Sequence, residues 1–97
     1  MIKHIVCFKL KDNSDYSKLK AKEVLMGMKD NVPQIRGIQV GCDFLGSSRS
    51  YDVILEVLLD SVSDLNDYQN DPYHCGVVKK YMHEVREASI AIDYEIE

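Results

Sequence analysis

Tyr51 to Leu59 is the stretch that most limits how this chain folds. Tyr51, Val53, Leu55, Val57 and Leu59 form an unbroken apolar row at every second position, alternating with Asp52, Ile54, Glu56 and Leu58. A period of two argues a strand with one fully apolar face and one mixed face. Three other segments carry the same period. Residues 2–11 set Ile2, His4, Val6, Phe8 and Leu10 against Lys3, Ile5, Cys7, Lys9 and Lys11, and the first set is the expected core face. Ile35 to Phe44 puts Ile38, Val40, Cys42 and Phe44 on one face, with Gly37 and Gly41 weakening the strand. Ala88 to Ile96 offers Ile90, Ile92, Tyr94 and Ile96 as a core face, with Ala91, Asp93 and Glu95 opposite.

Between these strands lie two helical patterns. The cluster Asp12-Asn13-Ser14-Asp15 is a turn and cap, and a helix follows to about Asn31. Tyr16, Leu19, Leu25, Met28 and Val32 fall near one stripe, with Lys18, Lys20, Lys22 and Lys29 expected in water. Asn31 and Pro33 end that helix, because the residue before proline avoids helical geometry. Ser61 is the expected N-cap of the second helix, in which Val62, Leu65 and Tyr68 recur every three residues. Asp71-Pro72 breaks it, and a further helical segment carries Val77, Val78, Tyr81, Met82 and Val85 to about Arg86.

The order β-α-β-β-α-β describes an α+β fold, the ferredoxin-like arrangement of a four-stranded antiparallel sheet with helices on one face. The chain of 97 residues has the length of a single domain, 1–97. The uncovered face would hold Ile5, Cys7, Ile54, Leu58 and Ala91, which is too apolar for water. The expected remedy is a homodimer formed through the open sheet face, two sheets packed into a dimeric α/β barrel. A net charge of −4 with interleaved signs and no basic stripe points away from nucleic acid. No segment approaches the roughly 20 apolar residues that span a bilayer, and the N-terminus reads as a strand rather than a signal peptide, so no membrane partner is expected. Three separated cysteines, Cys7, Cys42 and Cys75, read as thiols in a reducing cytoplasm.

The residues best suited to chemistry cluster in Asp67-Tyr68-Gln69-Asn70-Asp71-Pro72-Tyr73-His74. Tyr68 and His74 lie six residues apart across the helix break, so their side chains can converge on one pocket mouth. There a histidine near neutral pKa can act as general base, and a tyrosine hydroxyl can hold a developing oxyanion. The same residues have a structural reading, in which Tyr68 covers the core and His74 bonds a backbone carbonyl. His4, on the helix-covered face, is either a satisfied core histidine or a third member of that cavity. His83 reads as a solvated residue late in its helix. No metal-ligand spacing appears, no phosphate loop opens a helix, and no cofactor is expected.

The Lys3-His4 opening, Val40-Gly41-Cys42-Asp43, Ser50-Tyr51-Asp52-Val53, the Tyr68-to-His74 segment and Asp93-Tyr94 together resemble the stress-responsive A/B barrel, or Dabb, family along the whole chain. The resemblance implies a dimeric α+β barrel. Most bacterial members of this kind have no assigned activity. A plant branch closes linear polyketides without a cofactor, and carry-over from it makes His74 the base and Tyr68 the hydroxyl donor. The expected substrate-binding wall is His4, Val53, Leu55 and Met28. This chain departs from that branch at Asp71, where the branch has histidine before proline, and at Val53, where it has a pocket histidine. Three functions follow: a small homodimer that binds a small hydrophobic or phenolic ligand without chemistry, a cofactor-free lyase or cyclase, and, by fold analogy alone, a dimeric-barrel monooxygenase.

Overall fold

The computed structural model describes residues 1–96. Its strands are β1 (Ile2–Leu10), β2 (Gly37–Cys42), β3 (Val53–Leu59) and β4 (Arg86–Glu95). Its helices are α1 (Asp15–Met26), α2 (Val62–Gln69) and α3 (Lys80–Val85). The strands form one antiparallel sheet in the order β2-β3-β1-β4, with all three helices on one face. This is the ferredoxin-like arrangement that the alternation predicts.

The Tyr51–Leu59 segment performs as its pattern requires, although the strand begins at Val53. Val53, Leu55, Val57 and Leu59 are buried beneath the helices, while Ile54, Glu56 and Leu58 face the other way. Asp52, just before the strand, is buried and accepts a 2.7 Å hydrogen bond from the Leu10 backbone N–H. The carboxylate thereby closes a backbone donor at the end of β1 that would otherwise be orphaned.

Helix α1 buries a different stripe from the expected one. Ala21, Leu25, Met28 and Val32 meet the sheet, while Tyr16 and Leu19 are exposed. Lys18, expected in water, is half-buried and donates from Nζ to the Asp43 carbonyl. The helix stops at Met26, and a 3₁₀ turn (Gly27–Asp30) replaces its expected last turn. Ser14 and Ser61 cap α1 and α2 as anticipated, each accepting from a backbone N–H three residues on. Phe44 lies beyond β2 and is 97% exposed, so it is not part of the core face assigned to it from the sequence.

The largest correction concerns β4. Ile92 pairs with Ile5, Ile90 with Cys7, and Tyr94 with Lys3. Directly opposed residues share a face, so Ile90, Ile92 and Tyr94 lie on the uncovered side of the sheet. Ala91, placed on that side from the sequence, pairs with Val6 and lies on the helix face with Asp93. Alternation sorts a strand into two sets without saying which set faces inward. Here the heavier set faces outward, where Ile92 is 62% exposed in the single chain.

The break between α2 and α3 has a clear local cause. The Asp71 Oδ1 accepts from the Tyr73 and His74 backbone N–H groups at 2.8 and 3.2 Å. Asp71 is thus an N-cap with Pro72 as the first residue of the new helix, where its missing N–H costs nothing. The chain then makes a π-helical turn (His74–Lys79) before α3. Gly76-Val77-Val78 in its middle is a poor α-helical run.

Candidate functional site

A cavity of about 260 Å³ opens between the sheet and the α2–α3 segment. His4 from β1, Tyr68 from α2, His74 from the π turn and Leu55 from β3 all stand on its wall. Tyr68 is the centre of the group and is 0% exposed. Its ring meets His4 edge-on at 5.5 Å between centroids and an interplanar angle of 65°. On the other side it lies against His74 at 4.5 Å and 31°. Tyr68 therefore stands between the two histidines and contacts each of them. Phe8 and Met82 share the wall without closing the cavity, and Tyr81 lines a different surface depression.

Two of the expected wall residues are placed otherwise. Met28 sits beneath Tyr68, whose hydroxyl donates to the Met28 Sδ at 3.7 Å. Val53 is buried opposite Phe8 and does not reach the cavity.

The electrostatics differ among the three rings. His4 Nδ1 hydrogen-bonds the Asp93 carboxylate, which requires Nδ1 to carry a proton. Burial raises the Tyr68 hydroxyl well above the ordinary tyrosine range, and the nearby Asp93 charge adds to this. The hydroxyl therefore stays protonated and acts as a donor. Burial pushes the His74 pKa down, and the Lys79 ammonium reinforces the shift. The Gln69 carbonyl and the Asp71 carboxylate oppose it. His74 Nδ1 is buried without a hydrogen-bond partner. Buried polar atoms are nearly always satisfied, so this atom is an exception among the described residues.

The depressed pKa has a consequence for folding. Unfolded His74 takes up a proton near its ordinary value of 6.5, whereas the folded ring resists it. The unfolded state then binds more protons, so stability is full above that value and falls as the pH drops from it toward the lower folded pKa. Urea titrations from pH 7.5 to 5 should show this fall, and His74→Gln should flatten it in that window.

Sequence reasoning missed the rest of the wall. Gln69, Lys79, His83, Arg86 and Ser89 also line the cavity. His83 Nδ1 and Arg86 Nη2 are 3.3 Å apart. Lys79 follows His74 by five residues, a spacing that an α-helix splays apart and an i→i+5 turn brings together. The Gly76-Val77-Val78 run was the available signal for that turn.

Fold and site together define a ferredoxin-like α+β protein with an aromatic–histidine cavity between helices and sheet. The chain belongs to the stress responsive A/B barrel domain (Dabb) family, whose model matches residues 2–96. A dimeric protein of unknown function from Bacteroides fragilis is 27% identical, with a TM-score of 0.80 over 98% of this chain and 95% of that one. A Dabb family protein from Mesorhizobium loti is 23% identical, with a TM-score of 0.71 over 99% and 96% of the two chains. Hydroxynitrile lyase from Passiflora edulis shares the fold at 18% identity, with a TM-score of 0.77 over 99% and 93%. No functionally curated protein matches the sequence. No helix among the described residues is long and apolar enough to cross a membrane.

Proposed function

We propose that this chain is a homodimer that binds a small, largely apolar molecule in the cavity beside His4, Tyr68 and His74. The observation that carries the reading is the cavity of about 260 Å³ on whose wall His4, Tyr68 and His74 stand together. The imidazoles would meet a polar group of the ligand, and the aromatic and aliphatic lining would cover the remainder of it. The dimer follows from the outer sheet face, where Ile5, Ile54, Leu58, Ile90 and Ile92 gather. The Bacteroides fragilis relative is dimeric, in keeping with this assembly. Three free thiols suit a reducing cytoplasm.

A library of small phenolic and β-keto compounds screened by thermal stabilisation tests the binding reading. At least one compound should raise the melting temperature of the wild type and lose most of that effect with His74→Ala. A library that leaves the wild type unshifted would overturn the reading.

A second reading, acid–base catalysis, rests on the protonation states in the same cavity. A neutral His74 can take a proton from carbon next to a carbonyl, and the protonated Tyr68 hydroxyl can turn from Met28 to hold the resulting oxyanion. The Passiflora edulis lyase, at 18% identity, shares the fold with this chain. Deuterium exchange into an α-carbon of a bound β-keto compound, lost in His74→Gln, would support this reading. Unchanged exchange in that variant would end it.

A further inference from the structure

Among the described residues, the charged side chains lining the cavity are of one sign. Lys79 and Arg86 line it beside the His83 imidazole, and none of the described lining residues is a carboxylate. This is against the balance of the chain, which has 16 acids to 12 lysines and arginines. Among the described residues, the ion pairs are Lys3–Glu56, His4–Asp93 and Arg36–Asp60, so neither Lys79 nor Arg86 is neutralised.

Two backbone irregularities converge on this mouth. The β1–β4 register runs evenly from Ile2↔Glu95 to Lys9↔Ala88 and then shifts, so that Leu10 faces Arg86. An unbroken register would have set Glu87 opposite Leu10. The bulge therefore turns an arginine, rather than a glutamate, onto the inner face, as bulges do when they re-aim a side chain. On the opposite wall, the π turn brings Lys79 to the side that carries His74. Each departure from regular backbone adds a cation to the same rim.

We infer that the ligand of this cavity is a carboxylate, its apolar body lying against Tyr68 and Leu55 and its anionic group held between Lys79 and Arg86 at the rim. The inference rests on the proposed small-molecule reading of the cavity and specifies its ligand class. An arginine fork and a lysine ammonium are the side chains that recognise a carboxylate; Arg86 is half-buried and Lys79 is exposed.

Calorimetric titration of the wild type with benzoate, phenylacetate and 3-phenylpropanoate, each against its own primary amide, tests this. At least one acid should bind ten-fold or more tightly than its amide at low salt. The double variant Lys79→Gln/Arg86→Gln should lose that preference while keeping its affinity for the amide. Arg86→Lys, which keeps the charge, should retain part of the preference, and this separates a lost charge from a damaged fold. Equal affinity for acid and amide in the wild type would overturn the carboxylate assignment and leave the cavity reading standing. Failure of all six compounds to bind would overturn both. A preference that survives in the folded double variant would place the anion elsewhere and overturn the rim.

Discussion

Tyr68→Ala is expected to cost about 3–5 kcal/mol of folding stability, the range for removing a fully buried aromatic ring. The ring is inaccessible to solvent and touches His4 on one side and His74 on the other, so its loss merges the cavity with the space it vacates. Tyr68→Phe should behave quite differently. Among the described residues, the hydroxyl makes one hydrogen bond, a 3.7 Å contact to a thioether, a weak acceptor. Its removal should change stability by less than about 1 kcal/mol. Urea unfolding of the two variants checks both values. A Tyr68→Phe loss above about 1.5 kcal/mol would make the hydroxyl a structural group rather than one held in reserve for a ligand.

The second large effect concerns the outer sheet face. Ile92→Asp puts a charge on the edge strand of the outer face, beside Ile5 and Ile90 and on the same side as Ile54 and Leu58. A two-fold interface carries the change twice, and each isoleucine contributes about 1.5–3 kcal/mol of burial, so association should weaken at least a hundred-fold. Light scattering at micromolar concentration should give twice the 11.1 kDa chain mass for the wild type and close to one chain mass for Ile92→Asp. Leu19→Asp, on the exposed side of α1, should leave the dimer intact. A monomeric wild type would refute the packing of sheet on sheet. An unaffected Ile92→Asp would move the interface to another face.

The fold was legible because four segments alternate and two helices announce their caps. Ser14, Ser61 and Pro72 stand where they are expected to stand. The errors came where alternation is silent. The apolar set of β4 faces outward, a choice that a second sheet makes favourable and that nothing within the strand reveals. Tyr16 and Leu19 fit a loose helical stripe, but they stay exposed and the smaller Ala21 takes the buried position.

The site was legible in part, for a related reason. His4, Tyr68 and His74 stood out as chemical groups near a proline break, and ordinary helix and strand geometry suffices to bring them together. Lys79 and Arg86 reach the cavity through an i→i+5 turn and a β-bulge. Both are departures from the regular periods on which sequence reading depends. Val53 was assigned by resemblance, and its position opposite Phe8 removes it from the wall.

The most direct test of the cavity is nuclear magnetic resonance of the three histidine imidazoles, with ¹³C-labelled histidine and a compound that stabilises the protein. His4 and His74 stand inside the cavity, while His83 stands at its rim, so the three rings report separately on the interior and the mouth. The expected result is a saturable shift of the His4 and His74 ring signals, with a change in the pH midpoint of His74 as the ligand covers its ring. A compound that stabilises the protein yet leaves both interior rings unmoved would contradict the assignment of the cavity as the binding site.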